Sequence, residues 1–249
     1  MIRFFLEKVY RYRLDVSIQN ISRSFPHFSY EQISECISKY YQNLSRIILE
    51  MIFPSITKLE ITLPTIYKIK EAAKRERPTI LLLGHYGNWE VLNRLPRYTD
   101  TPVKAFYKPL RNSFVCNFIR RRRARYGLDL INSMQSFREV LRNKTSSEII
   151  LFVADQFPGN DKGITVNFLH QKTQMYTGAE ELARKVDAFV GYVELFSKSE
   201  HIWDMKIQTI CENASLTDEG DITRAYASLL EKSIYKRPAW WLWSHKRWK

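Results

Sequence analysis

Ile80, Leu81, Leu82 and Leu83 form an unbroken apolar run that stops at Gly84. A run this short, bounded by a glycine, reads as a buried strand. Gly87 and Asn88 then break the pattern, and Trp89, Leu92 and Leu95 recur three apart. Asn88 is a good N-cap, and Glu90 falls in the first helical turn, where negative charge is favoured. The stretch from Thr79 to Leu95 is therefore expected to be strand, turn and helix, and the rest of the chain is organised around it. His85 leaves the strand end and Glu90 opens the helix. Within one continuous helix, residues five apart point about 140° away from each other. Across a strand–turn–helix junction their side chains can meet. A histidine held by a carboxylate is a general base, because the carboxylate fixes its tautomer and stabilises the imidazolium. The C-terminal end of a buried strand is also where open α/β sheets place their sites. Gly84 and Gly87 are expected to let a substrate approach the backbone.

The remaining pattern surrounds this junction with alternating elements. Ile2, Phe5, Leu6 and Val9 follow helical spacing, and Tyr12 to Phe25 continues as a helix up to Pro26. Ser29 to Phe53 is the clearest helix, with Ile33, Ile37, Tyr40, Leu44, Ile47 and Met51 on one face, and Pro54 ends it. Leu59 to Arg77 reads as helical. Val103 to Tyr107 reads as a strand. Asn112 to Tyr126 is a helix with Val115, Phe118 and Ile119 inward, stopped by Gly127. Phe137 to Leu141 is helical, Glu148 to Ala154 is a strand, and Pro158 to Gly163 is a loop. Gly178 to Lys185 is a helix, Phe189 to Phe196 a strand and Ile222 to Tyr235 a helix. In Trp203 to Cys211 the period is two, with Trp203, Met205, Ile207 and Thr209 on one face. Strands alternating with helices argue for an α/β fold around a mostly parallel central sheet, preceded by a helical N-terminal section.

Composition narrows the partners. A net charge of +13 implies an anionic partner, such as nucleic acid, an anionic membrane surface, a phosphorylated lipid or an acidic protein. Cys36, Cys116 and Cys211 show no paired spacing, which argues against a disulfide framework or a zinc site. The sequence has no phosphate-binding P-loop, no Gly-x-Ser-x-Gly nucleophile elbow and no metal-ligand cluster. It also has no run of about 18 apolar residues, the minimum for a spanning helix.

Other residues carry possible chemistry. Asp155 and Gln156 close a strand, as His85 does. Arg120 to Arg123 and Arg125 end the helix before Gly127. A guanidinium suits phosphate through its planar fork, and it can stabilise an oxyanion. The terminal WWLWSHKRWK is either an apolar plug with a basic rim or a membrane-boundary segment, since Trp and Lys both suit that boundary. His245 reads as structural.

An ordered set of pieces carries a resemblance over nearly the whole chain: YRLDVSIQNISRSFP, GHYGNWE, FYKPLRN, RARYG, ADQ, TGAEELA and WLWSHKRWK. Together they resemble the lipid A biosynthesis acyltransferases, the late acyltransferases of the endotoxin pathway. These belong to the glycerolipid acyltransferase-like group that carries a His-x4-Asp/Glu dyad. The resemblance implies one acyltransferase domain over 1–249, with a helical section over 1–77 and an α/β catalytic core over 78–249. It implies His85 and Glu90 as the catalytic dyad. Arg123 and Arg125 match the family's Arg-x-Arg-x-Gly pattern. With Asp155, Gln156, Lys108 and Asn88 they are expected to hold the oxyanion or the acceptor. Lys108 stands where the family has Arg, which keeps the charge and loses the bidentate fork.

The implied reaction moves a fatty acyl chain from acyl carrier protein, or a CoA thioester, to a hydroxyl of a lipid A precursor. No cofactor is expected beyond the thioester co-substrate, and no nucleic acid. The family usually places a spanning helix just before the Tyr-Arg stretch. This chain is expected to sit peripherally on the cytoplasmic face of the inner membrane, with a spanning helix only if the true start lies upstream. Two other readings stand beside this one. One is acylation of a lysophospholipid or another lipid. The other is a non-enzymatic basic module that binds membrane or nucleic acid.

Overall fold

A computed structural model describes residues 2–107, 109, 112–132, 136–143, 145–159 and 163–248. The chain opens with α1 (Ile2–Phe4), a single π turn over Phe5–Val9, α2 (Leu14–Ser24) and α3 (Tyr30–Ile52). α3 starts where a capping box closes: the Ser29 side chain accepts from the Gln32 amide, and the Gln32 side chain accepts from the Ser29 amide. Pro54 follows its last turn. A short strand β1 (Lys58–Leu59) then leads to α4 (Leu63–Ala73) and β2 (Thr79–Leu83). The middle of the chain contributes β3 (Val103–Tyr107), α5 (Ser113–Ala124), β4 (Asp129–Asn132), α6 (Ser136–Arg142) and β5 (Ile149–Val153). β6 (Ile164–Phe168), β7 (Gln171–Met175), α7 (Gly178–Lys185), β8 (Phe189–Ser199), β9 (Ile202–Cys211) and α8 (Asp221–Lys236) complete the order.

Among the described residues, seven strands form the main sheet in the order β1-β9-β8-β2-β5-β3-β4. Every neighbouring pair in it is parallel except the β8–β9 hairpin. β2 lies at its centre, between β8 and β5. Its alternate residues enter separate cores. Ile80 and Leu82 pack with α3, α7 and α8, while Leu81 and Leu83 pack with α4 and the segment after Asn88. That two-sided burial is why the run carries no polar residue.

Several elements depart from the sequence reading, each for a physical reason. Leu59, expected in a helix, instead pairs with Trp203 as an edge strand. β4 is four residues with polar ends and gives no apolar run. The β6–β7 hairpin turns at Leu169 and His170, both with positive φ (51° and 63°), where a turn signal would be Asn-Gly. Val115 faces outward at 41% exposure. Part of the C-terminal tail takes the plug role: Trp241, Trp243 and Arg247 are all buried. Trp243 donates from Nε1 to the Pro238 carbonyl at 2.7 Å, and Asn20 donates to the Trp243 carbonyl at 2.8 Å. Truncating a buried tryptophan such as Trp243 to alanine costs about 3–5 kcal/mol.

Candidate active site

β2 and β5 run in register, with Ile80 beside Ile150 and Leu83 beside Val153. Two residues beyond each strand stand His85 and Asp155, so the same register brings them level. His85 Nδ1 lies 2.6 Å from Asp155 Oδ1, and the His85 backbone N–H donates to Asp155 Oδ2 at 2.8 Å. The Trp241 indole N–H donates to that same Oδ2 at 2.9 Å. The tail grips the turn from outside as well. Leu242 N–H donates to the His85 carbonyl and Gly87 N–H to the Trp240 carbonyl, each at 3.1 Å.

The glycines serve this packing. A Cβ on Gly84 would stand 2.7 Å from Leu230 Cδ1 and 3.2 Å from Asp155 Oδ2. Gly87 has φ of +65°, and a Cβ there would meet the Leu195 side chain at 3.1 Å. Both spaces expected for substrate are therefore taken by the protein's own side chains.

Burial alone would push the Asp155 carboxyl up. The His85 ring and the N–H groups around it outweigh burial and hold Asp155 down at about 2. An ionised Asp155 assigns the proton to His85 Nδ1 and leaves a lone pair on Nε2. Gln156 Nε2 sits 3.4 Å from that nitrogen, and the Trp89 ring meets the imidazole edge-on, with centroids 4.8 Å apart.

The sequence spacing placed Glu90 against His85. In the structure the carboxylate on the imidazole is Asp155's, and Glu90 is engaged by Arg123. Asn88 caps the segment Trp89–Arg97, its side chain accepting from the Glu90 amide at 3.1 Å. That segment is a 3-10 helix, which repeats every three residues and so accounts for the spacing of Trp89, Leu92 and Leu95. It turns Glu90 toward α5. Arg123 Nε donates to Glu90 Oε2 at 2.9 Å, and its Nη2 donates to Oε1. Burial works against the Arg123 charge, and Glu90 more than restores it, raising the guanidinium above its ordinary value.

His85, Glu90, Arg123 and Gln156 line one cavity of about 600 Å³. Its remaining walls are mainly apolar, with Leu83, Leu92, Leu128, Leu130, Leu151 and Phe152 among them. The other expected residues lie apart. Arg125 is exposed at the end of α5, with its guanidinium 5.8 Å from the Tyr126 ring centroid. Asn88 is buried, and its two amide atoms serve Glu50 and the Glu90 backbone. Lys108 lies outside the described residues. His245 accepts at Nε2 from the Phe157 amide at 3.3 Å, and burial lowers its pKa.

Sequence reasoning missed Trp241 and the pairing of Asp155 with His85. A signal for the pair exists: Ile80-Leu-Leu-Leu-Gly-His85 and Ile150-Leu-Phe-Val-Ala-Asp155 are two apolar strands with the same ending, a small residue followed by a polar one. Nothing near Trp241 in the sequence announces its partner. Residues 5–249 match the family model of the bacterial lipid A biosynthesis acyltransferases. No curated protein matches the chain.

Proposed function

The chain belongs to the bacterial lipid A biosynthesis acyltransferases, which makes it an enzyme, and from that premise we propose how its residues divide the work. His85 Nε2 takes the proton from an acceptor hydroxyl. The freed oxygen attacks the carbonyl carbon of a fatty acyl thioester and the C=O electron pair moves to oxygen. Collapse of that tetrahedral intermediate breaks the C–S bond, and His85 returns its proton to the departing sulfur. The products are an ester and a thiol. Asp155 holds the Nδ1–H tautomer and balances the imidazolium between the two transfers. Arg123, oriented by Glu90, stabilises the oxyanion or a phosphate on the acceptor.

The observation that supports this best is the His85–Asp155 pair at the edge of an apolar-walled cavity. A hydrocarbon chain loses contact with water in such a cavity, gaining about 0.8 kcal/mol per buried CH₂. The donor we propose is acyl carrier protein, and the acceptor a lipid A precursor presented at the cytoplasmic leaflet. Among the described residues no helix is long and apolar enough to cross a membrane. With Trp241 and Trp243 buried, the seat for the bilayer passes to the N-terminal segment. There Phe4 and Tyr10 are exposed, while Leu6 packs on the core. A single short amphipathic segment holds a protein reversibly, and salt weakens the basic contribution.

His85→Ala is expected to keep the fold and lose about 100-fold or more in turnover. Mass spectrometry of lipids from cells with and without the gene reads acceptor and donor together. Loss of one acyl chain from lipid A is the expected result. A normal transfer rate in His85→Ala overturns the mechanism.

A further inference from the structure

Glu50 is a carboxylate sealed inside the protein, near the C-terminal end of α3, with its side chain 0% exposed. Donors from separate parts of the fold converge on it. Arg46 Nε, one turn earlier on the helix, reaches Oε1 at 2.7 Å. His201 Nδ1, from the β8–β9 turn, lies 2.8 Å from the same oxygen. Trp203 Nε1 on β9 reaches Oε2 at 2.8 Å. The fourth is Asn88 Nδ2, at 2.5 Å from Oε2.

A carboxylate costs several kcal/mol to bury unless its lone pairs are met, and Arg46, His201 and Trp203 already meet it with scaffold groups. Asn88 is different, because it stands in the turn between His85 and Glu90. Its amide is split: the N–H₂ end is fixed by Glu50 and the carbonyl end receives the Glu90 amide. Glu50 therefore sets the plane of the Asn88 amide. That plane sets the Glu90 N–H, the second of the 3-10 segment, and with it the direction in which Glu90 leaves toward Arg123. We propose that Glu50 is a positioning residue for acyl transfer, acting through Asn88 to hold the Glu90–Arg123 pair at the cavity. This rests on the role given to Arg123 above.

Glu50→Gln tests the idea, since one neutral oxygen replaces a carboxylate that serves Asn88 and Trp203 on one side and Arg46 and His201 on the other, and the charge that orders all four donors is lost. The cavity walls stay in place, so the donor KM is expected to hold while kcat falls about ten- to a hundredfold, the scale of a misaligned catalytic group. His201→Gly is the control. It removes a different donor from the same carboxylate, and glycine adopts the left-handed backbone at that position (φ 61°) freely. It is expected to lower Tm without lowering kcat. Adding Asn88→Asp to Glu50→Gln reverses donor and acceptor while keeping a helix cap, and is expected to recover kcat.

Equal kcat losses in Glu50→Gln and His201→Gly that follow their losses in Tm would make Glu50 a folding charge only and overturn the proposal. So would a double variant with no recovery. Arg123→Ala in the same assay separates the two failures. Full turnover in Arg123→Ala overturns the reading of Arg123, and this proposal with it. A large loss there beside an unimpaired Glu50→Gln overturns the role of Glu50 alone.

Discussion

Two acid–base pairs share the cavity, and they are built differently. In the His85–Asp155 pair the carboxylate is 3% exposed, and both its oxygens are occupied by His85 and Trp241. In the Glu90–Arg123 pair the arginine is 32% and the glutamate 11% exposed. The first is joined across the sheet by strands distant in sequence. The second is joined by a turn and a helix end at the edge of the cavity. In the proposed reaction the contrast separates two jobs that one short motif had merged: the deep pair sets a protonation state, and the outer pair aims a cation.

The largest effect should come from exchanging the acids. Asp155→Asn leaves the shape and removes the charge that fixes the tautomer, for an expected loss of about 10³–10⁴ in kcat. Glu90→Gln keeps a hydrogen bond to Arg123 and should lose about 10–100-fold, the scale of a misaligned group. Steady-state acyl transfer by the two purified variants ranks them. A Glu90→Gln enzyme crippled as badly as Asp155→Asn would reverse the assignment and return Glu90 to the imidazole.

The outer pair is sharpened by its arginines. Arg123→Ala is expected to lose about 100-fold in kcat/KM, the usual scale for one oxyanion donor. Arg125→Ala, outside the cavity, should stay near the wild-type rate. Arg123→Lys keeps the charge without the fork and should fall between them. Equal small losses at both arginines would reduce the whole run to a solvated face.

What the sequence made legible follows the same division. His85 could be found because its strand is apolar on both faces and ends at a glycine. Arg123 could be found because Arg-x-Arg-x-Gly is local. The Asp155 partner could not be fixed, since it depends on which strand lies beside β2 and in what register. Sequence adjacency favoured Glu90, and sheet order favoured Asp155. The β6–β7 hairpin was hidden for a related reason. Its turn uses Leu169 and His170 at positive φ, with Leu169 N–H held by Glu231 at 2.5 Å, so a tertiary contact supplies what a turn motif usually does.

Acid stability tests the deep pair without any substrate. Asp155 sits at about 2 in the folded protein against an ordinary 3.8. Above the ordinary value the carboxylate is charged in both states and the folded state keeps the full benefit. As pH falls from about 4 through 2 that benefit disappears, amounting to about 2 kcal/mol. Urea midpoints across this window should fall in the wild type and lose that part of the slope in Asp155→Asn. An identical slope in both would mean that Asp155 is not held down.

The smallest expected loss at the deep pair belongs to Trp241→Phe, and it decides what the aromatic tail is for. Phenylalanine retains a ring among Phe168, Trp243 and Trp248, which surround the indole. It loses the N–H that Asp155 Oδ2 receives at 2.9 Å. Hydrogen bonds to a charged group contribute about 1.5–3 kcal/mol. Part of that returns here, because the His85 amide still serves the same oxygen. A drop of about tenfold in kcat is expected, corresponding to about 1.4 kcal/mol. The Asp155 carboxyl should rise toward its ordinary value and move the acid limb of stability upward with it. Binding to vesicles containing anionic lipid should not change, since the ring never reaches the surface. Phe4→Ser with Tyr10→Ser should do the reverse, weakening vesicle binding and leaving the acid limb alone. A Trp241→Phe protein that keeps its rate and acid limb but releases from vesicles would move the tail out of the active site and onto the bilayer.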